Sequence, residues 1–115
     1  MACRVPSLTE GVRCRVCFVR KAARLNALDP TLELHSYSHW APINTAITTG
    51  ADVELNLATD QAVTAAAVNV LQNGDPDVLF LQYDDVDHAG HDFGFTPATP
   101  QYLAAIELVD ALLSP

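Results

Sequence analysis

The sequence predicts an α/β fold of three layers, in which helices flank a mostly parallel sheet. Helical and extended patterns alternate along the chain in the order helix, strand, helix, strand, helix. Strands that are separated by helices form right-handed crossovers, and these crossovers bring the strands together in parallel. Half of the 115 residues are apolar, which is enough for a modest packed core.

Residues 1–17 differ from the rest of the chain, because they are basic and show neither helical nor strand periodicity. Cys3, Cys14 and Cys17 all lie in this segment. The spacing of Cys14 and Cys17 fits half of a zinc ribbon or a redox pair, but a second ligand pair and a strand-to-helix setting are not evident. We therefore interpret residues 1–17 as an irregular N-terminal segment and residues 18–115 as the α/β domain.

The domain begins with a predicted helix over residues 18–28, where apolar residues recur at helical spacing. Residues 31–40 then alternate with period two and predict a strand. The alternation places His35, Tyr37 and His39 on one face, so the two histidines could converge on a metal ion. Histidines on a strand are more often surface groups or hydrogen-bonded core groups, and both interpretations stay open.

A second strand and a helix follow. Residues 41–44 are a predicted loop or turn, and the alternation in residues 52–57 indicates a short edge strand. Thr59 or Asp60 caps a helix that ends before Gly74. The apolar face of this helix consists of Val63, Ala66, Ala67, Val70 and Leu71.

The last strand of the domain is predicted over Val78–Tyr83, and its continuous apolar start favours a central position in a parallel sheet. It delivers the loop that follows to the carboxyl edge of the sheet, where such folds bind ligands. Thr99 and Pro100 are typical of a helix start and predict a closing helix. The inner face of that helix is assigned to Leu103, Ile106, Val109 and Leu113.

The loop after this strand contains a potential metal-binding motif, Asp87-His-Ala-Gly-His91. Carboxylate and imidazole groups suit zinc or a similar divalent ion, and one helical turn would project both side chains from the same side. Gly90 would let the backbone bend before His91, and Gly94 would relieve that bend. The alternative is a solvated acidic loop whose histidines only form hydrogen bonds. Further carboxylates flank the motif at Asp84, Asp85 and Asp92.

Charge is distributed unevenly. All six Lys and Arg residues lie between Arg4 and Arg24, whereas the rest of the chain is acidic. This excludes binding to a nucleic-acid duplex as an expected function, because that requires cationic side chains on the contact face. A phosphate ester bound by the acidic part would need a metal ion to neutralise its charge. Neither a membrane span nor a secretory signal is expected from the apolar pattern.

The stretch from Pro76 to Gly94, followed by Thr99-Pro-Gln-Tyr and Val109-Asp110, resembles the alkaline phosphatase superfamily. The resemblance is closest to its type I phosphodiesterase and nucleotide pyrophosphatase branch and covers about residues 20–115. It implies a partial alkaline-phosphatase-like core and hydrolysis of a small-molecule phosphate ester at a centre of two metal ions, usually zinc.

Residue by residue, the resemblance assigns Asp87 and His91 as ligands of one of these two metals. His88, Asp84, Asp85 and Asp92 match no ligand of the family. The family's nucleophile and other ligands lie outside the resembling stretch, and the surroundings of Thr9 do not reproduce the nucleophile motif. The chain is thus expected to be an internal fragment that is inactive alone and has no catalytic residue of its own.

A second hypothesis is a small non-catalytic α/β module that binds a metal or a partner through the same loop. It requires further ligands from His35, His39 or His88, so proximity of His35 or His39 to His91 would favour it. A third hypothesis is an interaction domain without a metal.

Overall fold

The computed structural model describes residues 21–114. The predicted segment 1–17, with its three cysteines and Thr9, lies outside the described residues. The elements are, in chain order, α1 (Lys21–Leu28), β1 (Leu34–Ser38), a π-helical turn (Ile43–Ile47), β2 (Val53–Asn56), α2 (Asp60–Asn73), β3 (Val78–Gln82), α3 (Asp85–Phe93) and α4 (Pro100–Leu113). These bounds confirm the predicted helices and strands where the structure describes them, and they add α3, where the sequence indicated a loop.

The three strands form one parallel sheet in the order β2-β1-β3, flanked by helices. The predicted α/β class and the parallel sheet are therefore confirmed. Because parallel strands all end at the same edge, the segments that follow β1 and β3 lie next to each other. The backbone N–H of His39 donates to the carbonyl oxygen of Gln82 at 3.2 Å, so the two strand ends are joined directly.

The prediction that the Val78 strand is central is wrong for the described sheet, because β1 holds the middle position. All five residues of β1 are buried, whereas Val78 and Phe80 of β3 are 38% and 39% exposed. The polar side chains of β1 tolerate burial because they have partners. Ser36 Oγ donates to Asn44 Oδ1 at 2.6 Å, and Ser38 Oγ donates to the carbonyl oxygen of Trp40 at 2.6 Å.

Helix α2 crosses from β2 to β3 and begins as the sequence predicts. The hydroxyl of Thr59 accepts from the N–H of Ala62 at 3.1 Å, so Thr59 rather than Asp60 caps this helix. Val63 and Ala67 of the predicted apolar face are buried, but Leu71 is 62% exposed. The contacts of α2 with β1 and β3 therefore centre on its first half.

Helix α4 packs mainly on α3 and also contacts α2. The prediction that it presents a buried inner face is wrong for the described residues, since none of its residues is buried. Leu103 and Ile106 remain about two fifths exposed, at 41% and 40%. The physical reason is that α4 lies against a neighbouring helix rather than on the sheet.

No helix among residues 21–114 combines the length and apolar character that a membrane crossing requires. A cavity of about 240 Å³ lies between α1 and the sheet, with Leu25, Leu34 and Phe80 among its lining residues.

Candidate metal centre

The two predicted metal ligands lie on α3, immediately after β3 at the carboxyl edge of the sheet. Asp87 is in the first turn of this helix, and His91 is one turn later. Asp87 Oδ2 and His91 Nε2 are 3.4 Å apart, and the side chains are 59% and 70% exposed. The structure therefore brings the pair together on a solvent-accessible helix surface, as the sequence predicts for a helical turn.

The separation of these two atoms fits a shared ion better than a hydrogen bond. N–H···O hydrogen bonds in proteins have donor–acceptor distances of about 2.7–3.2 Å. Two ligand atoms that each lie about 2.0–2.1 Å from a tetrahedral zinc ion are separated by about 3.3 Å. The donor set of one carboxylate and one imidazole is also suited to zinc. The residues that are present thus fit two of the positions around such an ion.

A third ligand does not join this pair from within residues 21–114, where Asp87 and His91 belong to no group of three or more potential ligands. The neighbouring histidine of α3, His88, turns instead to Asp84, with 3.1 Å between its Nδ1 and Asp84 Oδ2. Asp92 is exposed and lies after His91 on α3. The pair is consequently open to further ligands on its solvent side.

The structure also assembles a group that the sequence did not indicate as a unit. His39 follows β1, Asp60 starts α2 and Asp85 starts α3, and one potential ligand atom from each lies within 4.8 Å of the others. His39 Nδ1 is 2.7 Å from Asp60 Oδ1 and 3.6 Å from Asp85 Oδ1. Asp60 is completely buried, and its partner His39 is 16% exposed.

Hydrogen bonds also hold His39 and Asp60 together within this group. The distance of 2.7 Å between His39 and Asp60 is that of a charge-assisted hydrogen bond. Both oxygens of Asp60 also accept from backbone N–H groups, those of Asp84 at 2.8 Å and Asp85 at 3.0 Å. Because an ionised carboxylate oxygen can only accept, Nδ1 of His39 donates the shared hydrogen to Asp60.

The histidines that the self-contained module would need have other partners. His35 is buried in β1, where Nδ1 is 2.7 Å from the hydroxyl of Tyr37 and Nε2 is 2.6 Å from Glu33 Oε1. The ring of His39 lies near that of His88, with 6.0 Å between centroids. Within residues 21–114, the contacts of His35 and His39 thus do not include His91.

Sequence reasoning treated Asp60 only as a possible cap of its own helix and missed its role at the start of α3. One signal was available. Thr59 already supplies a capping hydroxyl, so the adjacent Asp60 is a surplus acidic residue at the carboxyl edge of a parallel sheet. Side chains at that edge converge in space even when they are far apart in sequence.

Gly90 has a different role from the predicted one. It is buried inside α3 and does not bend the backbone. A Cβ at this position would lie 2.0 Å from Cε1 of Phe95, so the absence of a side chain makes room for the Phe95 ring. Gly94 ends the helix with φ of 109°, a value that L-residues rarely adopt.

The family model described as type I phosphodiesterase / nucleotide pyrophosphatase matches residues 7–115. A search of curated proteins found no match.

Proposed function

Because this chain belongs to the type I phosphodiesterase/nucleotide pyrophosphatase family, we propose that it contributes part of a metal-dependent active site that hydrolyses phosphate esters. In this proposal Asp87 and His91 are ligands of one zinc ion in a two-metal centre. The observation that carries it is the separation of 3.4 Å between Asp87 Oδ2 and His91 Nε2, on a helix at the carboxyl edge of the sheet.

Bound zinc would neutralise the charge of a phosphate ester and lower the pKa of a bound oxygen nucleophile. This chain's own contribution is to hold the two ligands and to place negative potential around them. Asp84, Asp85 and Asp92 lie on or next to the same helix, and the sequence has no Lys or Arg from Leu25 onward. Such a surface attracts divalent cations and repels a phosphate ester that arrives without one.

The isolated chain is proposed to be inactive. A catalytic zinc ion has three protein ligands as a rule, and the residues described here supply two at Asp87 and His91. The further ligands and the nucleophile would have to come from outside residues 21–114. The substrate class, a small-molecule phosphate ester, follows from the family.

Zinc titration followed by calorimetry tests the ligand assignment. Asp87→Ala and His91→Ala are each expected to weaken zinc binding by more than about tenfold, because even residues that only support a ligand are worth about 10–100-fold in affinity. His88→Ala and Asp92→Ala are matched controls on the same helix and should bind zinc like the parent chain. Affinity that is unchanged in both ligand variants would contradict the assignment.

The second candidate function is a non-catalytic metal-binding module that uses His39, Asp60 and Asp85. It is favoured by the convergence of three potential ligand atoms within 4.8 Å. The same titration separates the two candidates. Loss of zinc binding in His39→Ala and Asp85→Ala, together with parent-like binding in Asp87→Ala, would support the module.

A further inference from the structure

Asp60 has an unusual position for a carboxylate. Its side chain is completely buried, and no Lys or Arg follows Arg24 in the sequence to compensate its charge. Burying an ionised carboxylate is costly unless hydrogen bonds and partial positive charges replace its hydration. The hydrogen bonds that Asp60 makes therefore indicate its role in the fold.

The carboxylate of Asp60 caps a helix other than its own. Thr59 caps α2, whereas Asp60 turns away and accepts the N–H of the residue just before α3 and the first N–H of α3 itself. Asp60 Oδ1 accepts from Asp84 at 2.8 Å, and Oδ2 accepts from Asp85 at 3.0 Å. The first N–H groups of a helix lack partners within the helix and carry partial positive charge, so they suit a buried anion.

The residue at the usual capping position of α3, Asp84, does not cap it. Its side chain makes no capping hydrogen bond and instead contacts His88 Nδ1 at 3.1 Å and Gln82 Nε2 at 3.2 Å. The start of α3 is consequently capped by a side chain of α2 rather than by the residue at its own capping position. Loss of Asp60 would leave one buried and one partly buried N–H donor without this acceptor.

Asp60 also joins α3 to the central strand. His39, the first residue after β1, donates from Nδ1 to Asp60 Oδ1 at 2.7 Å. One buried carboxylate thus links the end of β1, the start of α2 and the start of α3. Helix α3 is the element that carries Asp87 and His91, and Asp87 lies in the first turn that Asp60 caps.

We propose that Asp60 is a positioning residue, which fixes the first turn of α3 and thereby aims Asp87 and His91 at a common ion. The proposal rests on the proposed function for the identity of the ligands. In this proposal Asp60 acts through its hydrogen bonds to the backbone, whereas in the second candidate function it would be a ligand.

The direct test is amide hydrogen exchange of the metal-free chain with Asp60→Asn. The substitution keeps the shape of the side chain but replaces one acceptor oxygen with an NH₂ group that cannot accept a backbone hydrogen bond. The matched control is Asn44→Ala. Asn44 is also buried, at 1% exposed. Its side-chain NH₂ group donates hydrogen bonds to the carbonyl oxygen of Leu55 and to Oδ1 of Asn56, in a different part of the fold.

Exchange in the first turns of α3 is expected to accelerate by about tenfold more than exchange in β1 when Asp60 is replaced, because lowering the free energy of local opening by 1.4 kcal/mol makes exchange tenfold faster. In Asn44→Ala, which removes the acceptor of Ser36 in β1, exchange in α3 should not accelerate more than exchange in β1. A proportional change in Asp60→Asn would overturn the proposal. If Asp60→Asn does not fold, Asp60→Ser, which also keeps one acceptor, takes its place with the same expectation.

Zinc affinity provides a second test of the role of Asp60. Asp60→Asn is expected to weaken zinc binding by about 10–100-fold, as is typical when a group that orients a metal ligand is lost. Asn44→Ala should bind zinc like the parent once unfolded protein is subtracted. Parent-like affinity in Asp60→Asn would contradict the proposal. Absence of zinc binding in the parent would instead contradict the proposed function, and amide exchange would still decide the role of Asp60.

Discussion

At the scale of single residues, the histidines of this chain differ in burial, and this difference indicates different roles. Both ring nitrogens of His35 have partners, Tyr37 at 2.7 Å and Glu33 at 2.6 Å, so this residue is a hydrogen-bonded part of the core. His91 is 70% exposed and keeps its ring available to an ion. Alternation in the sequence placed His35 and His39 on one strand face, but it could not show that their partners are different.

The burial of Tyr37 next to His35 predicts how the stability of the fold changes at alkaline pH. Burial raises the pKa of Tyr37 above its ordinary value of 10.0, and the negative charge of Glu33 raises it further. In the unfolded chain the hydroxyl ionises near the ordinary value, whereas in the folded chain it stays neutral to higher pH. The stability contributed by the neutral hydroxyl is therefore fully present below pH 10.0 and falls as the pH rises through the folded pKa.

Tyr37→Phe is expected to lower the free energy of unfolding at pH 7 by about 1–3 kcal/mol, because Nδ1 of His35 loses its buried partner. The same variant should lose less stability than the parent as the pH rises above 10.0, as measured by urea unfolding. Tyr102→Phe, which retains Tyr37, is the control and should follow the parent. An equally steep alkaline loss in Tyr37→Phe would contradict this account.

At the scale of elements, α3 is the main difference between the sequence-based prediction and the structure. Its nine residues contain five aspartate or histidine side chains and a glycine, which indicated a loop. Helical structure is nevertheless favoured by the cap from Asp60 and by contacts one turn apart, between Asp84 and His88 and between Asp87 and His91. The helix propensity of neighbouring residues does not reveal a capping group that comes from another helix.

The buried glycine of α3 gives a prediction for this element. Gly90→Ala is expected to destabilise the fold by about 1–3 kcal/mol, because the added methyl group would displace the Phe95 ring. That ring packs edge-on against His91, with 5.1 Å between centroids, and against Tyr102, with 5.7 Å. Thermal or urea unfolding measures the effect.

A double-mutant cycle provides the control. In a Phe95→Ala background the space is free, so Gly90→Ala should be neutral or should stabilise the helix by up to about 1 kcal/mol, as alanine is the better helix former. An equal cost in both backgrounds would show that backbone effects rather than the Phe95 ring require glycine.

At the scale of the whole molecule, the described part combines a small core with large apolar surfaces. Leu34, Tyr37, Val63 and Ala67 are its buried hydrophobic residues, whereas apolar side chains of β3 and α4 are substantially exposed. Polar groups make up much of what is buried, including Asp60 and Asn44. The fold therefore depends on satisfied buried hydrogen bonds as well as on apolar packing.

The arrangement of charge and ligands predicts the behaviour of the isolated chain in a hydrolysis assay. With zinc and a chromogenic phosphodiester, the chain is expected to give no turnover above a blank that contains zinc alone. Two protein ligands do not hold a catalytic zinc, and no cationic side chain follows Arg24 to bind the phosphate. Turnover above the blank that disappears in Asp87→Ala would contradict inactivity while supporting the metal site.

The sequence alone determined the α/β class, the approximate positions of the three strands and of α1, α2 and α4, and the spacing that pairs Asp87 with His91. These features depend on local periodicity, on capping residues and on spacing of one helical turn, all of which are written in neighbouring residues. The tertiary structure decided that the polar strand β1 is central and that Asp60 caps α3. Both results require partners that are distant in sequence: Ser36 is satisfied by Asn44, and the start of α3 by a carboxylate on α2. Burial of polar groups is stable only once such partners are in place, and residue patterns do not encode which ones meet.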